Sequence, residues 1–214
     1  MRCSLSVRFE IRVRAPQGMG EPADNVPAVS GALASMVHPH GFGLAKNHVC
    51  VSTVGPSPRH IKRLQPLPCR LAWSVHAADD ELRRLLVPTT RHSMAELRDA
   101  WGETLSARRD RGLMAEVTMI DGVNDDAKAA DGLYELLAPL PGKTRINLIP
   151  YNANAGLGAA GKLFRSSPPE NVRAFQERLR ERGIITTVRT PRGDDEASAC
   201  GQLVIKRDSE ETRI

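Results

Sequence analysis

Short polar stretches recur directly after apolar, β-branched runs, and these hold the residues whose types could do chemistry. Gly18-Met19-Gly20-Glu21 follows the first run, Ser52-Thr53 ends the second, and Ser74-Val75-His76 ends the third. Asp121 and Asn124 follow the fourth and Asn152 the fifth, while the sixth leads into Arg189, Arg192, Gly193, Asp194, Asp195 and Cys200. Acids, hydroxyls, an imidazole, amides and a thiol would converge if the runs lie side by side. A thiol becomes a nucleophile when its pKa is lowered and it is accessible. Arg192 is near Cys200 in sequence, and a cation close in space would favour the thiolate; Ala199 and Gly201 leave the sulfur room to carry an added group. Each residue alone also has an ordinary use. Gly20-Glu21 could be a turn with a solvated acid, Ser52 and Ser74 could satisfy backbone groups, His76 could be structural, and Cys200 could be an inert small apolar residue.

The elements that must position these residues can be read from periodicity. Residues 4 to 14 alternate, with Leu5, Val7, Phe9, Ile11 and Val13 on one side and Ser6, Arg8, Glu10, Arg12 and Arg14 on the other, as in a strand with one wet face. Further strands are predicted at His48 to Thr53, Arg70 to Val75, Met114 to Ile120, Arg145 to Ile149 and Ile185 to Arg189. Helical spacing lies between them. Val26, Val29, Leu33 and Met36 follow the cap candidate Asn25, and a short basic helix spans Pro58 to Leu64. Asp79 to Leu86 comes next, then a helix opened by the capping box Ser93-x-x-Glu96. Asn124-Asp125 is read as the cap of a helix carrying Ala130, Leu133, Leu136 and Leu137, and a last helix starts at Ser167-Pro168-Pro169-Glu170 and stops at Gly183.

Six strands separated by helices amount to βα repetition, and right-handed crossovers make the sheet parallel. No G-x-G-x-x-G follows the first strand, and Gly18-x-Gly20 followed by Glu21-Pro22 makes a poor dinucleotide turn. The reading is therefore α/β, a partial parallel barrel rather than a doubly wound sheet, with the site at the carboxyl ends of the strands.

Composition narrows the function classes. The 214 residues hold 30 Lys or Arg and 25 Asp or Glu, a formal charge of +5, with 41% apolar and 26% charged residues. That is ordinary globular usage, against wholesale disorder or a collagen-like repeat. Mean hydropathy is −0.33, and no apolar stretch approaches the roughly 18 residues of a membrane span. Cys3, Cys50, Cys69 and Cys200 are too few and too scattered for a disulfide scaffold and form no C-x2-C or C-x3-C pair. The basic runs at Arg59 to Arg63, Arg83-Arg84, Arg108-Arg109 and Arg178 to Arg182 are interleaved with acids and read mostly as solvated helix faces. A pI near 9.3 still suits a polyanionic partner. Eight aromatic residues (Phe 4, Trp 2, Tyr 2) argue against a base-stacking platform.

Taken together, Arg192-Gly193-Asp194-Asp195 and then Cys200-Gly201-Gln202-Leu203 resemble the C-terminal signature of the radical S-adenosylmethionine adenine C2-methyltransferases that modify large-subunit rRNA and some tRNAs. The resemblance covers roughly residues 18 to 203 in family order. It takes in Gly18 to Pro22, Gly41-Phe42-Gly43-Leu44, Val51-Ser52-Thr53-x-Gly55, Ser74-Val75-His76-Ala77 and Val87-Pro88. Gly122-Val123-Asn124-Asp125, Ile146 to Asn152 and Val188-Arg189-Thr190 continue it. It implies a barrel of the radical-S-adenosylmethionine type with about six βα units, its N-terminal part missing, and a division into an unmatched segment 1–17, the barrel 18–203 and a polar tail 204–214.

The resemblance implies that Gly20 and Glu21 meet the methionyl ammonium, where an acid suits a cation. It further implies that Ser52, Ser74, Val75, His76 and Asn152 hold the rest of S-adenosylmethionine, and that Cys200 is methylated by one such molecule. In the family a second molecule is reductively cleaved at a [4Fe-4S] cluster, and the radical formed leads to carbon addition at C2 of adenine, where polar methyl transfer has no workable path. The family's C-x3-C-x2-C motif has no counterpart among the four cysteines, so no metal ligand is expected in this chain. Asn152-Ala153-Asn154-Ala155-Gly156 stands where the family has a Pro-rich loop.

The expectation is thus an rRNA, and by extension tRNA, adenine C2-methyltransferase portion, monomeric and cytoplasmic, dependent in the family on an electron donor and inactive as given. An organellar site and a C8 outcome stay open at this point. The alternative is a non-catalytic basic RNA-binding module on the same fold. A nucleotide-binding enzyme of unrelated chemistry would need a phosphate loop that the sequence lacks.

Overall fold

The computed structural model describes residues 20–152 and 164–189. Its five strands are β1 (Cys50–Thr53), β2 (Arg70–Ser74), β3 (Leu113–Met119), β4 (Thr144–Pro150) and β5 (Ile185–Val188). They pair in chain order β1-β2-β3-β4-β5, every pair parallel. A doubly wound sheet reverses its strand order near the middle; this one never does. With right-handed crossovers, monotonic order places every connecting helix on the same face, as in a section of barrel wall. The predicted barrel geometry is therefore the observed one over five strands, and the strand predicted at residues 4–14 lies outside the described residues.

The register separates two faces. Val51, Leu71, Trp73, Leu113, Ala115, Val117, Met119, Ile146 and Leu148 share one face by strand pairing and are buried in one core with Leu97, Trp101, Leu133, Phe175 and Leu179. Trp73 and Trp101, both 0% exposed, meet with ring centroids 5.9 Å apart. The opposite face carries Ser52, Ser74, Glu116, Asn147 and Thr187. A parallel sheet covered on both sides by helices would be apolar on both; this polar row marks the concave, barrel-interior side.

The helices are α1 (Val26–Val37), α2 (Pro58–Arg63), α3 (Asp80–Leu86), α4 (Met94–Ser106), α5 (Ala127–Leu137) and α6 (Pro169–Glu181). Their ends follow local chemistry. Asn25, Ser57 and Asp79 accept hydrogen bonds from the first-turn N–H groups of α1, α2 and α3. The Ser93/Glu96 capping box forms on α4 as the sequence predicts. Helix α6 ends in a Schellman motif, with Gly183 N–H donating to Arg180 O, Ile184 N–H to Leu179 O, and Gly183 at φ +83°.

The cap of α5 differs from the sequence reading. Asp126 accepts from Ala129 N–H at 2.7 Å, while Asn124 and Asp125 turn inward. The reason is that both find buried partners that a cap position would forfeit. Asp125 accepts from Gly122 N–H, from Ser167 Oγ at 2.8 Å and from Asn171 Nδ2 at 3.0 Å, tying the start of α6 to the end of β3. Ser167 is accordingly spent on Asp125, and α6 has no side-chain cap.

Several predicted solvated basic runs also resolve differently. Arg83 is 1% exposed, and Arg108 donates to the carbonyls of Leu64, Gln65, Leu67 and Cys69, fastening the turn before β2. Arg178 and Arg182 both engage Asp131 across α5 and α6, with the Arg182 guanidinium 4.8 Å from the Tyr134 ring centre. No helix among the described residues is long and apolar enough to cross a membrane.

Candidate functional site

Glu21 holds the carboxyl end of β1, and Arg83 ties that end to the end of β2. Glu21, just before the short 3-10 turn Pro22–Asn25, accepts from Ala23 N–H at 3.0 Å and Val54 N–H at 3.1 Å, and from Thr53 Oγ1. Arg83 of α3 donates through Nη2 to Val54 O at 2.7 Å and to Ser74 O at 3.0 Å. Burial lowers the Arg83 guanidinium to about 10, so it stays charged at neutral pH. Gly55 sits at φ +66°, where a Cβ would meet Trp73 Nε1 at 3.1 Å and Ile61 Cδ1 at 3.3 Å, so the turn after β1 requires a residue without one.

Inside this frame Ser52 donates to Glu116 Oε2 at 2.9 Å and lies 3.3 Å from Ser74 Oγ. All three are buried, at 4%, 5% and 4% exposure. Farther along the row Thr187 Oγ1 donates to Asn147 Oδ1 at 3.2 Å. Ser52, Ser74, Glu116 and Asn147 are buried polar groups, costly unless hydrogen-bonded, and each has a partner.

His76 leaves the sheet at the end of β2 in the left-handed region, φ +56°. Two groups hold that conformation for a residue other than glycine. Asn124 Nδ2 donates to His76 O at 2.8 Å, and Thr118 N–H donates to His76 Nδ1 at 3.2 Å. With Nδ1 accepting, the neutral ring carries its proton on Nε2. Burial, with the Arg83 charge second, pulls the imidazole from its ordinary 6.5 down to about 4.

This shift has a measurable consequence. The unfolded chain takes up a proton near pH 6.5 and the folded chain only near pH 4, so unfolding binds a proton between those values. The His76 contribution to stability is complete above pH 6.5 and falls away as pH drops toward 4, by about 3 kcal/mol. Urea unfolding of the chain and of His76→Gln at pH 7.5 and at pH 4 checks this. The difference between the two pH values is expected to be larger for the parent by that amount.

Among the sequence-predicted site residues, Glu21, Ser52, Ser74, Val75 and His76 lie at the ends of β1 and β2, with Val75 0% exposed. Gly20 directly precedes Glu21 and has φ +139°. Asn152 follows β4 by two residues and is exposed. Cys200 lies outside the described residues, as do the other residues from 190 onward. Glu116 and Arg83 are parts of the site that sequence reasoning missed. An acid inside the apolar run Leu113–Met119 was the available signal for Glu116; Arg83 had none beyond its place in a basic pair.

No group of three or more His, Cys, Asp or Glu that could hold a metal ion occurs among the described residues. Cys69 is buried and its thiol is pushed up to about 11 by that burial, the property of an inert thiol rather than a ligand.

No family model matches the chain. Curated relatives do. It is 46% identical over 192 residues to a Frankia alni protein named "Probable dual-specificity RNA methyltransferase RlmN", covering 87% of this chain and 43% of that protein. Proteins of the same name from Frankia casuarinae and Parafrankia are 45% and 44% identical, again over 87% of this chain and over 43% and 47% of their own lengths. The chain thus spans less than half the length of the curated relatives it matches. A crystal structure of a radical SAM methyltransferase from Sphaerobacter thermophilus superposes with TM-score 0.78 at 35% identity, over 89% of this chain and 54% of that one. A domain of a pyruvate-formate lyase-activating enzyme from Bacteroides vulgatus shares the fold alone, at TM-score 0.60 and 18% identity over 80% of this chain and 95% of that one. The resemblance read from the sequence motifs is borne out.

Proposed function

We propose that this chain, a relative of the radical S-adenosylmethionine RNA methyltransferases, provides the S-adenosylmethionine-binding wall of an RNA adenine C2-methyltransferase. The observation that carries the reading is the joining of Glu21, Ser52, Ser74 and His76 at the carboxyl ends of two adjacent parallel strands, opening on a polar concave face. Glu21 and Gly20 receive the ammonium of the methionyl group. Ser52, Ser74, the Val75 backbone, His76 and Asn152 hold the nucleoside end.

S-adenosylmethionine, when bound, supplies the methyl group and, in the family, the radical. The chain's own groups bind and orient. The Glu21 carboxylate keeps its charge in place through two backbone N–H donors, so the ammonium meets a fixed acceptor. His76, neutral at physiological pH, presents an Nε2–H donor and no second cation against a sulfonium. Arg83 fixes the spacing of the β1 and β2 ends by bonding one carbonyl on each. Cys200 is the methyl-accepting thiol in this reading, and rRNA, with tRNA as a second class, is the nucleic-acid partner.

The [4Fe-4S] cluster does not fit the described residues: they offer no ligand cluster, and Cys69 is buried with a raised pKa.

Equilibrium binding tests the reading. The chain is expected to bind S-adenosylmethionine saturably, with displacement by S-adenosylhomocysteine and none by ATP. Absence of saturable binding overturns it. A chain that binds RNA with strong salt dependence but no S-adenosylmethionine would instead be the non-catalytic RNA-binding module.

A further inference from the structure

The cations of this chain are unevenly placed. The segments that lead into the strands, 38–49, 64–70, 107–112, 138–145 and 182–185, hold eight Lys or Arg against one acid, Asp110, in a chain whose formal charge is +5. Acids collect at the opposite end, where Asp79, Asp121, Asp125 and Asp126 follow β2 and β3 and Glu21 meets the end of β1. The amino-end face of the sheet is the basic one.

Two ordinary reasons for surface cations do not account for it. Cations suit helix C-termini, but α1, α4 and α5, which precede three of these segments, have no basic residue in their last turns. A solvated helix face interleaves both signs and pairs them. Here Lys46, Arg70, Arg109, Arg111, Lys143 and Arg145 are all exposed, and none makes an ion pair among the described residues.

The backbone holds these six together. Arg108 binds the turn before β2 to the lead-in of β3 through the carbonyls of Leu64, Gln65, Leu67 and Cys69. Leu113 N–H donates to Lys143 O at 3.3 Å, and Gly142 lies so close to Arg111 that a Cβ would come within 2.4 Å of Arg111 O. Arg70 N–H donates to Val49 O at 2.8 Å, which joins the segment carrying Lys46. Neighbouring strands are about 4.8 Å apart, so the charges line one continuous rim. A preformed row of cations suits a phosphodiester backbone, because each neutralised phosphate releases counterions while little of the protein has to be ordered.

We propose that this amino-end rim is an RNA-contact surface that holds the phosphate backbone of the substrate at a distance from the reacting base. The inference rests on the RNA partner proposed above. Strand β3 has seven residues, so the rim lies about 20 Å from the carboxyl-end site. The stretch of RNA held here is therefore not the one that presents the adenine. An anionic membrane also attracts cations, but surfaces that lie in a membrane add a broad apolar face. These segments expose only Phe42 and Ile185 as large apolar side chains.

Fluorescence anisotropy with a labelled large-subunit rRNA hairpin tests the proposal on the whole chain. Arg109→Ala with Arg111→Ala and Lys143→Ala is compared with Arg91→Ala, Lys128→Ala and Arg173→Ala, which removes the same charge from exposed positions outside the rim. The rim triple is expected to weaken binding by about tenfold or more and to lower the salt slope by about two, while the control triple changes affinity by less than about threefold. Equal losses for the two triples overturn the proposal, because net charge alone would then set affinity. So does an unchanged salt slope in the rim triple. If the rim triple loses binding to phosphatidylserine vesicles and keeps its RNA affinity, the rim is a membrane contact and the proposal falls. Should that variant fail to fold by circular dichroism, Lys46→Gln with Arg109→Gln carries the test on the same criteria. A parent that binds no RNA removes the RNA partner and this inference with it, an outcome distinct from normal parent binding with equal losses.

Discussion

Glu21→Gln is expected to weaken S-adenosylmethionine binding by about tenfold to a hundredfold while changing 5′-methylthioadenosine binding little. The two ligands share the adenosine and the sulfur, but the second has no ammonium. In the chain Glu21 already accepts from Ala23 N–H, Val54 N–H and Thr53 Oγ1. Two carboxylate oxygens offer about four lone-pair sites, so one acceptor direction is left for a ligand. The fixed charge makes that direction valuable: a hydrogen bond between charged groups contributes about 1.5–3 kcal/mol, which is the fold-change expected. Glutamine loses the charge and replaces one acceptor by a donor, which then faces Val54 N–H or the ammonium. Calorimetric titration of both ligands into both proteins closes the cycle. Equal losses for the two ligands would place Glu21 in the scaffold of the β1 end rather than at the ammonium.

That Glu21 could be read from sequence and Glu116 could not has a physical reason. Glu21 belongs to a short local pattern after a strand predicted from the sequence, and its partners Thr53 and Val54 sit at the end of β1, which the βα period itself predicts. Glu116 bonds to Ser52, 64 residues away, and only the assembled sheet brings the two together. Arg83 is a harder case still. Arg83 and Arg84 are adjacent on α3, so their side chains point about 100° apart, and nothing local says which one turns toward the carbonyls of Val54 and Ser74. The five strands within the described residues were legible to within one or two residues, because alternation and β-branched runs bounded by Pro and Gly survive in any context. The preference for a barrel over a doubly wound sheet came from the missing G-x-G-x-x-G turn, and the unreversed strand order agrees with it. The cap of α5 falls at Asp126, just past the predicted pair Asn124-Asp125, because all three are good caps and tertiary contacts chose among them.

Of these three, Asn124 carries the largest expected effect on stability. It is 2% exposed and satisfies three backbone groups: its Oδ1 accepts from Ile120 N–H at 2.8 Å, and its Nδ2 donates to His76 O and Thr118 O, each at 2.8 Å. Asn124→Ala leaves those groups without this partner, and each such loss costs about 1–3 kcal/mol. A net loss of roughly 3 kcal/mol is expected, a fall of about 6–12 °C in Tm for a chain of this size. Because His76 relies on the same amide for its left-handed backbone, S-adenosylmethionine affinity should fall alongside. Asn124→Asp separates hydrogen bonding from volume. It keeps the acceptor for Ile120 N–H but turns a negative charge toward two carbonyl oxygens, so its folded-state pKa is raised by burial and repulsion. A raised carboxyl pKa means the folded chain holds the proton more tightly than the unfolded one, so the variant gains stability as pH falls and loses it as pH rises toward neutrality. The His76 contribution runs the opposite way, and Asn124→Ala has no group of its own to titrate there. Thermal unfolding of the parent and both variants between pH 4 and 7.5 should therefore show the Asp variant converging on the parent at low pH while the Ala variant does not. Parallel curves for Asp and Ala would mean that the amide proton donors are not what holds the end of β3 to His76.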